Sequence, residues 1–356
     1  MYNKSGFSKI IKDDLAQLIK ACKYKKQLEG KSFLITGVNG LIATYLTLFL
    51  LEMNRSENTD IKVYALTRNY DRTAELFANY INDAHLIILN QDVCDPIELT
   101  ERVDYVFHAA GAASAYAIKN NPVGIIRANT VGTMNVLEYA AKVNADKVLF
   151  PSTREIYGKV DGINRIKECD MGIMDPLSFR NCYPESKRVA EALLESYYRQ
   201  YGVNYCVLRI AHVYGPTMKL ENDGRVMADF IEAVVNRHDI VLNSDGSAIR
   251  AFCYITDLIN GVMVALFHGE TGEAYNLANE TEPKTIRDIA ETLLKMFPNR
   301  GCKLCRKVPD DDTKQGYVNY RITQLDTGKI EKLGWKPVVD LEQGMRKTVL
   351  HFIECE

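Results

Sequence analysis

Tyr183 and Lys187 are the two residues whose types and spacing most directly imply chemistry. They stand four apart at the head of a helical run reaching Tyr201, so they share one helix face a turn apart. An ammonium near a phenol favours the phenolate, and the pair therefore predicts a Tyr183 pKa drawn down towards the working range. Such a tyrosine takes a proton from a sugar hydroxyl while hydride leaves for a nicotinamide. Thr153, thirty positions upstream, would share that hydroxyl's hydrogen bond. It belongs to Pro151-Ser152-Thr153-Arg154-Glu155-Ile156-Tyr157-Gly158, which follows an apolar strand at 147–150. Ligands in open α/β sheets sit beyond the carboxyl ends of strands, which puts these hydroxyls and the Glu155 carboxylate near a cofactor mouth. Taken alone, the pair would read as a surface tyrosine and lysine. A glycine turn upstream decides for catalysis.

That turn is Gly37-x-x-Gly40-x-x-Ala43, between the apolar run Phe33-Leu34-Ile35 and a second run too long for a strand. Strand, turn and helix in this order form the context of a dinucleotide fingerprint. Gly37 allows the tight turn, Gly40 the approach of a pyrophosphate, and Ala43 the close packing of helix on strand. The helix N-terminus would hold the phosphate charge. Asn39, Leu41 and Ile42 are assigned to the cofactor with the two glycines. A second strand at 61–66 ends in Thr67-Arg68-Asn69, where an acid would favour NAD and an arginine would accommodate the extra phosphate of NADP. Arg68 reads either as that arginine or as a solvated surface residue. Asp92 and Val93 follow a third strand at 86–89. Ala109 and Ala110 follow a fourth that begins at 105–108, and Asn129 lies near the start of a helix at 122–143. All are assigned to the cofactor.

Strands alternating with helices at this spacing predict an α/β fold, a Rossmann-type doubly wound parallel sheet. The expected division is a helical extension at 1–30, a dinucleotide domain at 31–210, and a smaller α/β substrate domain at 211–356 partly interleaved with it. Residues 7–28 read as one helix with Ile10, Ile11, Leu15, Leu18 and Ile19 on its packed face. With 356 residues, 47% of them hydrophobic, the chain has material for a large core. A formal charge of -2 gives no reason to expect a nucleic-acid or anionic-membrane partner. No apolar run approaches the roughly 20 residues of a membrane span, and residues 1–15 lack a secretory segment. Nine scattered cysteines argue against a disulfide framework and for a cytoplasmic location. Cys302-x-x-Cys305 lacks a second pair, so no metal site is expected.

The glycine turn, Thr153 with Tyr157-Gly158, and Tyr183-x-x-x-Lys187 together resemble the extended short-chain dehydrogenase/reductase superfamily, and within it the nucleotide-sugar epimerases, dehydratases and decarboxylases. The likeness runs from Lys31 to about Thr348. Its more specific half is Leu208-Arg209-Ile210 with Tyr214-Gly215-Pro216, then residues 223–231, residues 245–257, Tyr275-Asn276-Leu277 and Leu333-Gly334-Trp335-Lys336-Pro337. Arg180-Asn181-Cys182-Tyr183 is most like the UDP-glucuronate decarboxylases. The resemblance implies oxidation of the sugar's fourth carbon by bound NAD, a change made easy by the ketone, and return of the hydride. NAD is preferred to NADP because a redox-neutral cycle needs a resident oxidised cofactor. A nucleotide-sugar is the implied substrate, and a homodimer through the helices at 122–143 and 183–201 the implied assembly. Tyr183 is then the base, Lys187 tunes it and orients the nicotinamide ribose, and Thr153 positions the hydroxyl.

Glu155 and Arg321 act at the later step in this reading. Thr153, Arg154, His212, Arg225, Arg250 and Arg321 face the substrate. Arg250 and Arg321 would meet a pyrophosphate or carboxylate, an anion an arginine fork suits; Arg250 reads alternatively as a domain-bridging ion-pair partner. Arg154 replaces the aspartate of the Asp-Glu dehydratases, which disfavours water loss. It either attracts a substrate carboxylate or points away into solvent. Decarboxylation leads, 4-epimerisation follows and 4,6-dehydration is third; a non-catalytic NAD-binding sensor or scaffold is the rival of another class, and a reductase consuming free NADPH, motivated by Arg68, is the other alternative. His212, where relatives carry asparagine, and Thr217, where decarboxylases carry arginine, depart from the pattern at the nucleotide-sugar site.

Overall fold

The computed structural model describes residues 7–221, 223–307 and 324–355. Its centre is a parallel sheet of seven strands: β1 (Ser32–Thr36), β2 (Lys62–Thr67), β3 (Leu86–Asn90), β4 (Tyr105–His108), β5 (Lys147–Thr153), β6 (Tyr205–Ile210) and β7 (Glu273–Leu277). Their order across the sheet is β3-β2-β1-β4-β5-β6-β7. The order reverses between β1 and β4, and the crevice at their carboxyl ends is where such sheets bind ligands.

Phe33, Leu34 and Ile35 are all buried, because helices cover both faces of the sheet. On one face α3 (Leu41–Glu57) packs between β1 and two further helices, α1 (Lys9–Ala21) and Ile255–His268, so it is buried nearly all round. After α3 the chain forms the short helices α4 (Tyr70–Leu76) and α5 (Ala115–Asn120); on the other face α6 (Pro122–Val143) and α7 (Cys182–Tyr201) pack side by side. The helix at 122–143 has the bounds read from the sequence. Residues beyond 210 return to the main sheet as β7. The rest build small strand pairs, among them Val213–Tyr214 beside Cys253–Tyr254 and Ile249–Arg250 against Lys284–Thr285.

The single helix expected over 7–28 is two: α1 and the short α2 (Lys25–Leu28). No breaker residue lies between them. Cys22 turns to an extended conformation (φ -66°, ψ 121°), which lets Tyr24 bury its ring against Phe267 at 4.7 Å. Tertiary packing overrides helix propensity there. On the buried face of α1, Asp14 accepts hydrogen bonds from Tyr45 Oη (2.8 Å), Tyr254 Oη (2.5 Å) and Lys347 Nζ (2.7 Å). Ser8 Oγ bonds His351 Nδ1 at 2.7 Å. Lys347 and His351 belong to the helix Leu341–Glu354. No helix among the described residues is long and apolar enough to cross a membrane.

Candidate active site

The glycine turn sits at the strand-order reversal. Gly37 has φ +66°, and a Cβ there would lie 2.7 Å from Ala109 O and Ala110 Cα, so only glycine lets the turn pass against the end of β4. Gly40 N–H donates to Gly37 O at 2.9 Å, and Gly40 leads into α3, whose first turn holds Leu41 and Ile42. Asn39 Nδ2 donates to Thr67 Oγ1 at 3.0 Å while its Oδ1 accepts from Thr73 Oγ1 at 3.0 Å. Arg68 is 72% exposed, its Nη1 3.4 Å from Asp92 Oδ2. Gly37, Asn39, Thr67, Arg68 and Asp92, with Val93 and Ala110, line an open cleft of roughly 760 Å³. Asn129 lies in α6 with its Nδ2 bonded to Ser186 Oγ at 2.9 Å; its buried Oδ1 has no partner among the described residues. A glycine turn at the switch point, a cleft of this size and an orphaned buried acceptor fit a dinucleotide.

The residues expected to be catalytic lie beyond β5. Thr153 ends that strand; its hydroxyl acts on the Tyr183 phenol, lowering its pKa, and accepts from Glu155 N–H at 3.2 Å. Tyr183 is buried in the first turn of α7. Lys187, one turn on, is also buried, and its Nζ donates to Pro151 O at 2.9 Å and lies 4.2 Å from the Phe150 ring centroid. Burial lowers its pKa to about 7, against the opposing pull of Glu191. The expected depression of the Tyr183 pKa is not found. Burial and then the Glu155 charge push the phenol up, while Thr153, Arg180 and Arg225 oppose them. The Lys187 ammonium is bonded to the Pro151 carbonyl and is not among the leading influences on the phenol.

Glu155 is held by Arg180, whose Nη2 lies 2.9 and 3.1 Å from the two carboxylate oxygens. Arg154 is half-buried rather than solvated, and its charge reaches His212 and Arg250. His212 adopts φ +47°, and its Nε2 is buried without a partner among the described residues. Burial, then Arg154 and Arg250, keep its ring neutral. Arg250 is itself lowered to about 10 by burial and Arg154. Arg225 is paired with Asp223, Nη2 to Oδ2 at 2.9 Å, and its charge reaches Tyr183. Arg321 lies outside the described residues.

Three residues of this neighbourhood carry no role in the sequence reading. Arg180 holds Glu155, Ser186 anchors Asn129, and Glu191 accepts from Ser152 Oγ (2.5 Å) and from Arg209 Nη2 (2.7 Å). Glu191 was open to discovery, since it follows Lys187 by one helical turn on the same face. The partners of Arg180 and Ser186 are set by tertiary structure alone.

A doubly wound sheet with its glycine turn at the switch point and a Thr–Tyr–Lys set beyond β5 defines an NAD-dependent enzyme of the extended short-chain dehydrogenase/reductase class. The sequence profile of the NAD dependent epimerase/dehydratase family matches residues 33–278, and the chain belongs to that family. It is 33% identical over 330 residues to UDP-glucuronic acid decarboxylase 1 of Danio rerio, a match covering 93% of this chain and 74% of that protein. Against UDP-glucuronic acid decarboxylase 5 of Arabidopsis thaliana the figures are 32% over 313 residues, 88% and 86%. Among solved structures, the UDP-glucose 4-epimerase of Thermotoga maritima with UDP-glucose superposes with a TM-score of 0.78 at 25% identity, covering 91% of this chain and 99% of that one.

Proposed function

We propose that the protein decarboxylates a UDP-uronate, UDP-glucuronate in the first instance, through a transient 4-keto sugar. The observation that carries this is Glu155 held in an ion pair by Arg180 beside the Thr153–Tyr183 pair, with the half-buried Arg154 next in sequence where an Asp-Glu dehydratase has its acid. Bound NAD supplies the acceptance of hydride from the fourth carbon and its return. Tyr183, as phenolate, takes the fourth hydroxyl's proton while Thr153 holds the oxygen. Lys187 turns from the Pro151 carbonyl towards the nicotinamide ribose and stabilises that phenolate. The ketone leaves the carboxylate in the β position, so the carbon–carbon bond breaks with its electrons passing into the carbonyl as an enolate. Thr153 and protonated Tyr183 hydrogen-bond that oxygen. A proton then reaches the fifth carbon, the step assigned to Glu155 with Arg321, before the ketone is reduced. Arg154, Arg225, Arg250 and His212 face the nucleotide-sugar.

Inversion at the fourth carbon is the second reading, favoured by the likeness to the Thermotoga maritima epimerase. The reading includes a homodimer through α6 and α7, which expose Ile126, Met134 and Val189. It also includes a cytoplasmic location, in keeping with nine free cysteines.

The test is the mass of the product formed from UDP-glucuronate by the purified protein. Loss of carbon dioxide, absent in Tyr183→Phe, is the expected result. An unchanged mass with a new chromatographic peak would make the protein an epimerase, and an untouched substrate would overturn both readings for this sugar.

A further inference from the structure

The adenosine end of the cofactor cleft holds a charge pattern that the proposed reaction does not use. Twenty residues line the cleft, and their charged members are Arg68, Arg72 and Arg127 against a single carboxylate, Asp92. The end of β2, where a ribose 2′-hydroxyl would meet an acid, carries Thr67. The Thr67 hydroxyl is already committed: it accepts from Asn39 Nδ2 and from Asn69 N–H at 3.1 Å, and shares a hydrogen bond with Thr73 Oγ1 at 2.9 Å. It gives a free 2′-hydroxyl no anionic acceptor. Immediately beyond it, Arg68 extends into solvent, and among the described residues its one ion-pair contact is the long 3.4 Å approach to Asp92. Arg72, in the first turn of the helix Tyr70–Leu76, is exposed, and its guanidinium has no ion pair among the described residues. Two exposed guanidinium groups thus flank the place where a carboxylate would reject a second phosphate. Guanidinium forks bind phosphate oxygens in bidentate fashion, and an unscreened acid is the usual means of excluding them.

We propose that this site accepts a 2′-phosphorylated dinucleotide as well as NAD, with Arg68 and Arg72 as the phosphate-binding residues. Binding of NADP exchanges the weak Arg68–Asp92 contact for contacts to a dianion. The hydrogen-bonded Asn39–Thr67–Thr73 cluster keeps the ribose pocket in shape for either nucleotide. The selectivity resides in two side chains outside the core, so their removal leaves the fold intact.

The experiment is isothermal titration of the nucleotide-depleted protein with NAD, NADP, 5′-AMP and 2′,5′-ADP, a readout independent of turnover. The expected result is a dissociation constant for NADP within tenfold of that for NAD, and tighter binding of 2′,5′-ADP than of 5′-AMP. The double variant Arg68→Ala/Arg72→Ala should lose at least tenfold more affinity for NADP than for NAD. Circular dichroism and melting temperature of the variant check that it is folded, and Arg68→Lys/Arg72→Lys should recover part of the loss. Binding of NADP more than tenfold weaker than NAD in the parent protein overturns the proposal. So does an equal loss for both dinucleotides in the double variant, which would mean only a general positive field.

Discussion

Replacing Glu191 by Gln removes one charge from the interior with little change of shape. Glu191 and Arg209 have side chains only 14% and 7% exposed and are joined by two contacts, Nη2 to Oε2 at 2.7 Å and Nε to Oε1 at 3.3 Å. Arg209 also donates to Tyr157 Oη (3.2 Å) and Glu168 O (2.7 Å), but neither carries a neutralising charge at that contact. Removing one member of a buried pair leaves the other uncompensated and costs about 3–5 kcal/mol. An unfolding entropy of about 2.1 cal/mol/K per residue gives 356 residues about 0.75 kcal/mol/K, so the melting temperature should fall by about 4–7 °C. A second effect follows from Lys187, whose ammonium Glu191 supports against burial. Without that negative charge the Lys187 pKa drops below its value of about 7, and the alkaline limb of turnover moves to lower pH. Differential scanning fluorimetry and a pH–rate profile read both. A melting temperature within 2 °C of the parent, with an unmoved alkaline limb, would refute the account of this pair.

Two further outcomes follow from the geometry. Gly37→Ala places a Cβ 2.7 Å from backbone atoms of Ala109 and Ala110 at φ +66°; we expect a loss of about 1–3 kcal/mol in denaturant unfolding together with weakened NAD binding, and a variant that keeps both would contradict the close approach. His351 is buried, which lowers its pKa from 6.5 to about 4, so the unfolded chain binds its proton first as the pH falls. Stability from this group is intact above pH 6.5 and declines through pH 4 by up to about 3 kcal/mol; His351→Gln should flatten the melting temperature between those values, and an unchanged acid slope would count against it.

What could be read in the sequence is what local spacing encodes. The strand–turn–helix at Gly37, the bounds of α6, and the common face of Tyr183 and Lys187 depend on periodicity and on single residues with special backbone freedom. What escaped depends on where a side chain goes once the chain is folded. Four residues of spacing put Lys187 near Tyr183, yet its ammonium is taken by a carbonyl on β5 and the phenol answers to burial and Glu155 instead. The break at Cys22 is likewise invisible locally, since only the Phe267 ring, far along the chain, gives Tyr24 a reason to leave the helix. Arg180 could be seen as part of a motif but not as the holder of Glu155.

The clasp between α1 and the helix Leu341–Glu354 has a consequence for biosynthesis. Asp14 is fully buried, and its neutralising cation, Lys347, lies 333 residues away. A nascent chain emerging from the ribosome therefore carries a helix whose aspartate lacks the Lys347 cation until residue 347 has been made. Burying α1 earlier would strand that charge, so the helix should stay undocked while the sheet assembles. The sheet can then assemble from its own strands first, with α1 taking its place only after the helix Leu341–Glu354 has been made.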